Sequence, residues 1–210
     1  MIRANVRDYQ RQRYRSLDQA LVHWREQRLV EALLMTCQLQ GGSLLDVPCG
    51  YGRFTALFAR LGITATGADV SSDMVRLARE NQVPSGSGRW LHADIFALPF
   101  ADAAFDCALS IRLLHHRFSD DERVRMLREL ARVSRRFVLL SFYLSTPLHN
   151  LARHWRGTRG RLSMMTAAQF QNLAQQSHLH VLQQRALCRF CHAQTFAVLT
   201  KDATSGRLRS

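Results

Sequence analysis

The sequence lacks the features that mark membrane-spanning and secreted proteins. No apolar run approaches the roughly 20 residues of a membrane-spanning helix. The first residues are polar and basic and contain no apolar core of a secretion signal. The five cysteines are an odd number in mostly apolar surroundings, which predicts reduced thiols in a cytoplasmic protein. A hydrophobic fraction of 47% in 210 residues excludes wholesale disorder and fits one domain.

Acidic residues are missing from the whole stretch 130–201, which carries ten of the formal +13 charges of the chain. Lysine is nearly absent as well, since Lys201 is the only lysine among 29 basic residues. Arginine enrichment is typical of phosphate and carboxylate recognition, but the codon usage of a GC-rich genome produces it too. The uneven charge predicts an anionic partner on one side of the molecule.

Short apolar runs alternate with amphipathic stretches, a pattern typical of βαβ units and a parallel sheet. Helices are predicted at 17–39, 53–61, 71–81, 120–133 and 166–176. Parallel strands are predicted at 43–47, 63–68, 89–93, 105–110 and 137–143, followed by a closing antiparallel pair at 181–187 and 194–199. The expected fold class is α/β: one Rossmann-like seven-stranded sheet, mostly parallel with an antiparallel final strand, and helices on both faces.

The most informative segment is the run LLDVPCGYGRF, residues 44–54, at a predicted strand-to-helix junction. Gly50 and Gly52 allow a sharp turn and a close approach to a ligand, and the N-terminus of the following helix favours an anionic ligand group. A dinucleotide-binding fingerprint requires a third glycine, which is absent because Phe54 and Thr55 follow. An ordinary β-turn-α connection remains an alternative.

The run resembles motif I of the class I S-adenosylmethionine-dependent methyltransferases, L-D-x-G-x-G-x-G. It is most similar to the subset that contains quinone-pathway and many small-molecule methyltransferases. The resemblance implies a methyltransferase whose cofactor is S-adenosylmethionine, with Asp46 as the acid of the motif. Pro48 replaces the first glycine and has no N–H group, so cofactor contact at that position is expected from Cys49, Gly50 and Gly52.

Further positions follow in the order of the family. Asp69 is expected to accept both ribose hydroxyls of the cofactor, with a helix N-cap as the alternative role. The resemblance assigns the adenine to Asp94 and Ile95, and the methionine part of the cofactor to the loop that begins with Ser110 and Ile111.

The N-terminal residues are a weaker part of the resemblance. Arg28 stands 18 residues before Asp46, the spacing of an arginine that binds the cofactor carboxylate in quinone-pathway relatives, although a solvated arginine fits equally well. Tyr9 and Tyr14 match N-terminal aromatic residues that cover the cofactor in such relatives.

The expected organisation is an N-terminal helical cap (1–40), a cofactor-binding core (41–143), a basic acceptor-side insertion with closing strands (144–201) and a flexible tail (202–210).

Acceptor recognition is expected from the basic insertion and from the loop after the fourth strand. His115 and His116 are the candidate general bases, because histidine titrates near neutral pH. The candidate acceptor-side residues lie in the insertion: His149, Arg153, His154, Trp155 and Arg156. They predict a small-molecule or lipid-like, anionic acceptor, or one presented at a membrane surface, and a solvated basic loop is the alternative.

Two other functions remain open at this stage. The basic face also suits RNA or DNA, but the sequence has no catalytic motif of base methyltransferases, so nucleic acid is not the favoured partner. A non-catalytic cofactor-binding protein is the other alternative.

The run C-x-x-C-H at 188–192 matches the haem c attachment motif, but without export it is interpreted as coincidence. No metal site is predicted, and the sequence does not determine the oligomeric state.

Overall fold

A computed structural model describes residues 17–83, 88–145, 163–188 and 192–201. The chain divides into two compact units, of which the first ends at Asp94 and the second begins at Ile95. The boundary lies inside the stretch predicted to form the cofactor-binding core, and the predicted domain limits remain predictions.

Seven strands form one sheet in the order β3-β2-β1-β4-β5-β7-β6. Within each unit the paired strands run parallel, except that β7 is antiparallel to both β5 and β6. The predicted fold class is therefore confirmed. The strands are β1 (Ser43–Asp46), β2 (Thr64–Asp69), β3 (Arg89–His92), β4 (Phe105–Ser110), β5 (Ser134–Tyr143), β6 (His180–Cys188) and β7 (His192–Thr200).

The helices of the described chain also follow the predicted pattern. Three N-cap residues explain where helices start: Ser71, Ser119 and Thr166 each accept a backbone N–H of the first turn, and the last two form complete capping boxes. The helices are α1 (Leu17–Thr36), α2 (Thr55–Arg60), α3 (Ser72–Glu80), α4 (Asp120–Val133) and α5 (Ala167–Gln176).

The first unit places acidic residues at the ends of its parallel strands. Leu44 and Leu45 of β1 are fully buried, and burial of such side chains stabilises a fold by about 1.5–3 kcal/mol each. β1 pairs with β2 so that Asp46 stands opposite Gly67, and β2 pairs with β3. Because β1 ends at Asp46 and β2 ends at Asp69, both acids lie at the carboxyl edge, where open α/β sheets bind their ligands.

Three local features differ from the predictions. Strand β5 begins at Ser134 rather than 137, because the last residue of α4 leads directly into extended backbone that pairs with Phe105. Helix α1 ends at Thr36 rather than 39, since Gln38 adopts a left-handed φ of 53°. Cys188, predicted to be a reduced thiol, is disulfide-bonded, whereas Cys37, Cys49 and Cys107 are buried and form no disulfide.

None of the helices in the described ranges is long and apolar enough to cross a bilayer.

Candidate functional site

The turn between β1 and α2 has the left-handed backbone that its two glycines allow. Gly50 has φ of 55° and Gly52 has φ of 74°. A Cβ atom on Gly52 would lie 3.3 Å from the Cα and Cβ atoms of Ala78 in α3, whereas a Cβ atom on Gly50 would meet no atom within 4 Å. Gly52 is therefore required by packing against α3, and Gly50 borders open space.

Asp69 fastens this turn to the end of β2. One carboxylate oxygen accepts the backbone N–H of Gly50 and the other accepts that of Ser71, both at 2.9 Å. The N-cap of α3 is Ser71, whose hydroxyl accepts from Met74 N at 3.4 Å, so the alternative role of Asp69 as the cap is not observed. A carboxylate has about four acceptor positions, which leaves capacity for further donors.

Asp46 is the least solvated carboxylate of the turn. It is 2% exposed, and its Oδ2 atom has no hydrogen-bond partner within the described part of the chain. Burial raises the pKa of Asp46 to about 7, while Arg53 lowers it and the charge of Asp69 raises it. Buried acceptors are nearly always satisfied in folded proteins, so this oxygen indicates a ligand donor, and strongly shifted carboxyls cluster at functional sites.

The backbone donors predicted to contact a cofactor are already used inside the protein. Cys49 N donates to Ala68 O at 2.9 Å, Gly52 N donates to Cys49 O at 3.1 Å, and Gly50 N donates to Asp69. Pro48 follows a cis peptide bond and has no N–H group. The turn is therefore held in shape by its own amides, and it presents carbonyl and carboxylate oxygens rather than free N–H groups.

The Cys49 side chain packs inward rather than towards a ligand. It lies in a buried cluster with Val75, Ala78 and Trp90. Burial, and then the charges of Asp46 and Asp69, raise the pKa of its thiol. The thiol stays protonated and is not a nucleophile.

Helix α1 reaches the turn through residues that the sequence did not single out. Glu26 is fully buried and pairs with Arg53 at 2.9 Å, and the Gln27 amide donates to Arg53 O at 3.0 Å. Arg28, the predicted carboxylate ligand, lies over the ring of Trp24 at 5.6 Å. It lines a surface pocket of about 360 Å³ together with Trp24, Gln27, Glu31 and Arg60.

The two predicted adenine ligands fall in different units. Asp94 follows β3 and is exposed, and the preceding Ala93 N donates to Asp69 O at 3.1 Å. The first unit thus has Asp46, Asp69 and Asp94 at or just beyond the ends of three adjacent parallel strands. Ile95 is buried in the second unit.

In the second unit, Ser110 ends β4 and Ile111 follows it, and both are buried. The Ser110 hydroxyl has no hydrogen-bond partner among the residues that the structure describes. The next residue, Arg112, has φ of 62° and donates its N–H to the Ser141 hydroxyl at 2.9 Å. Gln194 Nε2 donates to the same hydroxyl at 3.3 Å, so strands β5 and β7 fix the loop after β4.

The two candidate bases are adjacent and differently exposed. Their rings stack with centroids 4.6 Å apart, and the His115 ring lies 5.1 Å from that of Tyr143. His115 is buried, whereas His116 is exposed. An exposed imidazole beside a buried one can exchange a proton with solvent, as a general base requires.

Arg123 of α4 is a buried residue that sequence reasoning missed. Its guanidinium donates to the Ser163 hydroxyl at 2.7 Å, to Asp120 at 2.7 Å and to His116 O at 3.4 Å. Ser163 N in turn donates to His115 O at 2.8 Å. Arg123 therefore joins the loop that contains His115 and His116, which we call the histidine loop, to Ser163, which follows the basic insertion. A buried arginine with acids in the same turn is only a weak signal in sequence.

The predicted acceptor-side residues lie outside the described residues, as do Tyr9 and Tyr14. This applies to His149, Arg153, His154, Trp155 and Arg156. Within the described ranges, no group of three or more His, Cys, Asp and Glu residues could hold a metal ion.

Comparisons with known proteins match residues 44–136 to a family described as a methyltransferase domain. The O-methyltransferase cnsE of Penicillium expansum is 31% identical over 150 residues, covering 68% of this chain and 54% of the relative. A malonyl-[acyl-carrier protein] O-methyltransferase of Pectobacterium atrosepticum is 29% identical over 155 residues, covering 71% and 59%. The chain thus spans a little over half the length of these curated relatives.

A solved structure of similar fold is the magnesium protoporphyrin IX methyltransferase of Synechocystis PCC 6803 with bound SAH. The TM-score is 0.76 at 20% sequence identity, and the match covers 89% of this chain and 88% of that one. At this identity the likeness shows the fold alone.

Proposed function

Because this chain belongs to the class I S-adenosylmethionine-dependent methyltransferases, we propose that it transfers a methyl group from S-adenosylmethionine to an oxygen atom of a small-molecule acceptor. The family and its cofactor are those that the motif predicted, and both predictions are confirmed. The reaction of this chain is our proposal, and it is supported by the residues of the site, since fold alone does not determine function.

The observation that carries the proposal is the acidic carboxyl edge of the first unit. Asp69 holds the glycine turn through Gly50 N at 2.9 Å. Asp46 keeps one buried oxygen without a partner among the described residues, and Gly50 borders open space. An edge of carboxylates with room beside it suits a ligand that donates hydrogen bonds from hydroxyl and amino groups.

The cofactor supplies a methyl group already activated on a sulfonium. In the proposed site, Asp69 accepts the ribose hydroxyls with its remaining lone pairs, and Asp94 accepts from the adenine amine. Asp46 accepts a donor at its free oxygen. Arg28 is proposed to bind the carboxylate of the cofactor. The Gly50 turn contributes shape and carbonyl oxygens, because its N–H groups are engaged.

Ile95, Ser110 and Ile111 of the second unit stay proposed cofactor contacts. Ile95 and Ile111 are buried apolar residues, and the Ser110 hydroxyl has no hydrogen-bond partner among the described residues. His116 is proposed to take the proton of an acceptor hydroxyl, with the buried His115 ring stacked behind it. When bound, the cofactor would supply its methyl group to the acceptor oxygen and keep the electron pair of the carbon–sulfur bond on sulfur, while His116 would hold the acceptor proton.

The acceptor is proposed to be small and anionic. The acid-free stretch 130–201 supports a negatively charged acceptor, and both relatives described above are named O-methyltransferases. His149, Arg153, His154, Trp155 and Arg156 stay proposed acceptor-side residues. A cytoplasmic location, contact with a membrane surface and a partner other than nucleic acid also stay predictions.

Titration with S-adenosylmethionine tests the cofactor half of the proposal. We expect wild-type protein to bind it in a calorimeter, and Asp69→Asn to weaken binding by about 10- to 100-fold, because a hydrogen bond to a charged group contributes about 1.5–3 kcal/mol. Asp73→Asn is the matched control, since Asp73 is an exposed acid of the same unit. Absence of binding by the wild-type protein would refute the proposal.

Incubation with labelled cofactor tests the reaction. Acceptor pools of small molecules, lipids, protein and RNA from a lysate are compared for label transfer. Label in the small-molecule pool is expected. Label confined to RNA would establish the nucleic-acid alternative instead, and cofactor binding without transfer to any pool would indicate a non-catalytic protein.

A further inference from the structure

A continuous run of rings in the second unit includes the two candidate bases, and we refer to it as the aromatic row. Neighbouring ring centroids along it lie 5.1, 4.6, 6.3 and 6.0 Å apart. All four separations fall within the roughly 4.5–7 Å at which aromatic rings attract each other. In order, the aromatic row consists of Tyr143, His115, His116, Phe118 and Phe96.

The aromatic row is buried at His115 and more accessible at its other members. His115 is buried, Tyr143, Phe118 and Phe96 are half-buried, and His116 is exposed. The row therefore presents ring surface to an incoming molecule next to the residue proposed as the general base. Hydrophobic and aromatic side chains with a few polar groups among them are the usual lining of small-molecule sites.

Backbone hydrogen bonds hold the rings in place before any ligand binds. His116 N donates to Leu113 O and Phe118 N donates to His116 O, both at 2.9 Å. Ser163 N donates to His115 O at 2.8 Å, and Arg123 contacts His116 O. A surface that is fixed in advance loses little conformational entropy on binding.

We propose that the aromatic row binds the methyl acceptor, and that the acceptor is a planar aromatic compound carrying the hydroxyl group that is methylated. This inference rests on the proposed function and names its substrate class. A planar ring gains offset-stacked or edge-to-face contacts with the row, which a saturated ring of the same size lacks. The hydroxyl of a stacked ring then lies beside the imidazole that removes its proton.

Charge at the far end of the row adds to this specificity. The guanidinium of Arg125 lies over the Phe96 ring at 5.2 Å and is exposed. A cation in this position attracts both the face of an aromatic ring and an anionic substituent. The row thus favours an aromatic acceptor with an acidic group remote from the methylated hydroxyl.

Binding of 2-naphthol and of its saturated counterpart, decahydro-2-naphthol, tests the inference on the full-length protein. We expect 2-naphthol to bind more tightly and to shift the imidazole proton signals of His116 in NMR spectra. Phe118→Leu keeps an apolar side chain but removes the ring, and it should weaken 2-naphthol binding by about 2- to 12-fold, the range expected for loss of one aromatic pair. Binding of the saturated alcohol should not change.

Two further variants keep the result interpretable. Phe100→Leu is the matched control, because Phe100 is a half-buried ring of the same unit that pairs with Phe105 at 4.9 Å and lies outside the row. Phe118→Trp should restore the preference for 2-naphthol if the leucine variant folds poorly. Equal binding of the two alcohols by the wild-type protein, or a loss of binding as large in Phe100→Leu as in Phe118→Leu, would overturn the inference.

A parallel titration with S-adenosylmethionine separates this inference from the proposed function. Cofactor binding combined with a preference for the saturated alcohol would refute the aromatic acceptor and leave the methyltransferase proposal intact. A preference for 2-naphthol without cofactor binding would support the ring-binding surface and refute the proposed reaction.

Discussion

The two compact units bury charges of opposite sign. The first unit buries three acids, Glu26, Asp46 and Asp69. The described part of the second unit buries none of its acids and instead buries Arg123; there Asp102, for example, pairs with arginine at the surface. Since the proposed cofactor carries a cationic sulfonium and several hydrogen-bond donors, this difference supports our proposal that the acids of the first unit bind the cofactor and that the anionic acceptor contacts the second unit.

The largest expected effect is on the pH dependence of protein stability, through the buried Asp46 of the first unit. The pKa of Asp46 is raised to about 7 in the folded protein from 3.8, so between these values the folded state retains a proton that the unfolded state has lost. Stability therefore falls as pH rises from 4 to 7, by as much as about 4 kcal/mol, and is independent of Asp46 above that range. Asp46→Asn should abolish this part of the pH dependence.

Urea unfolding of both proteins at pH 4.5 and pH 8 measures this effect. Asp102→Asn serves as the control in the other unit, because Asp102 is an exposed acid. If Asp46→Asn and the wild-type protein lose equal stability between the two pH values, the buried carboxyl of the first unit is not the source, and the comparison between the units fails in its main point.

A second prediction separates the two glycines of the motif turn. Gly52→Val should destabilise the protein by about 3 kcal/mol, because a β-branched residue is placed in left-handed backbone and against Ala78. Gly50→Ala meets only the backbone cost, about 1 kcal/mol, and should instead weaken cofactor binding. Thermal unfolding and calorimetric titration of both variants check this, and equal stability losses would contradict the packing difference.

The sequence was sufficient for the fold and for most of the acidic edge, because both depend on local patterns. Apolar runs and capping residues locate the strands and helices, and the glycine turn and the acids ending β1 and β2 lie within short segments. The periodicity of Asp120–Val133 predicts α4 to the residue. Pattern alone could not show that Asp69 fastens the turn, because that bond joins residues 19 positions apart.

The second unit was harder to predict, because its connections are more distant in sequence. Arg123 reaches Ser163 across 40 positions, and Gln194 reaches Ser141 across 53. Nothing in the local sequence distinguishes Arg123 from the other arginines of α4. These contacts depend on the strand order, since β7 inserts between β5 and β6, and only the three-dimensional structure brings the residues together.

The smallest expected effect addresses the buried cation of the second unit. Arg123→Met removes the bonds to Ser163 and His116 O but keeps an apolar stem of similar length, so we expect a loss of about 2 kcal/mol in stability. The exposure of its partner Asp120 limits the loss, because that carboxylate regains water. The variant should lower methyl transfer while leaving the affinity for S-adenosylmethionine unchanged, since Arg123 positions the histidine loop and not the acidic edge.

Arg123→Lys is the informative companion variant. It keeps the charge but cannot make the same fork of hydrogen bonds, so partial recovery of stability without recovery of activity would show that the geometry of the histidine loop matters more than the charge. Weakened cofactor binding in Arg123→Met, with methyl transfer by the cofactor-saturated enzyme unchanged, would contradict the role proposed for Arg123 in positioning His115 and His116.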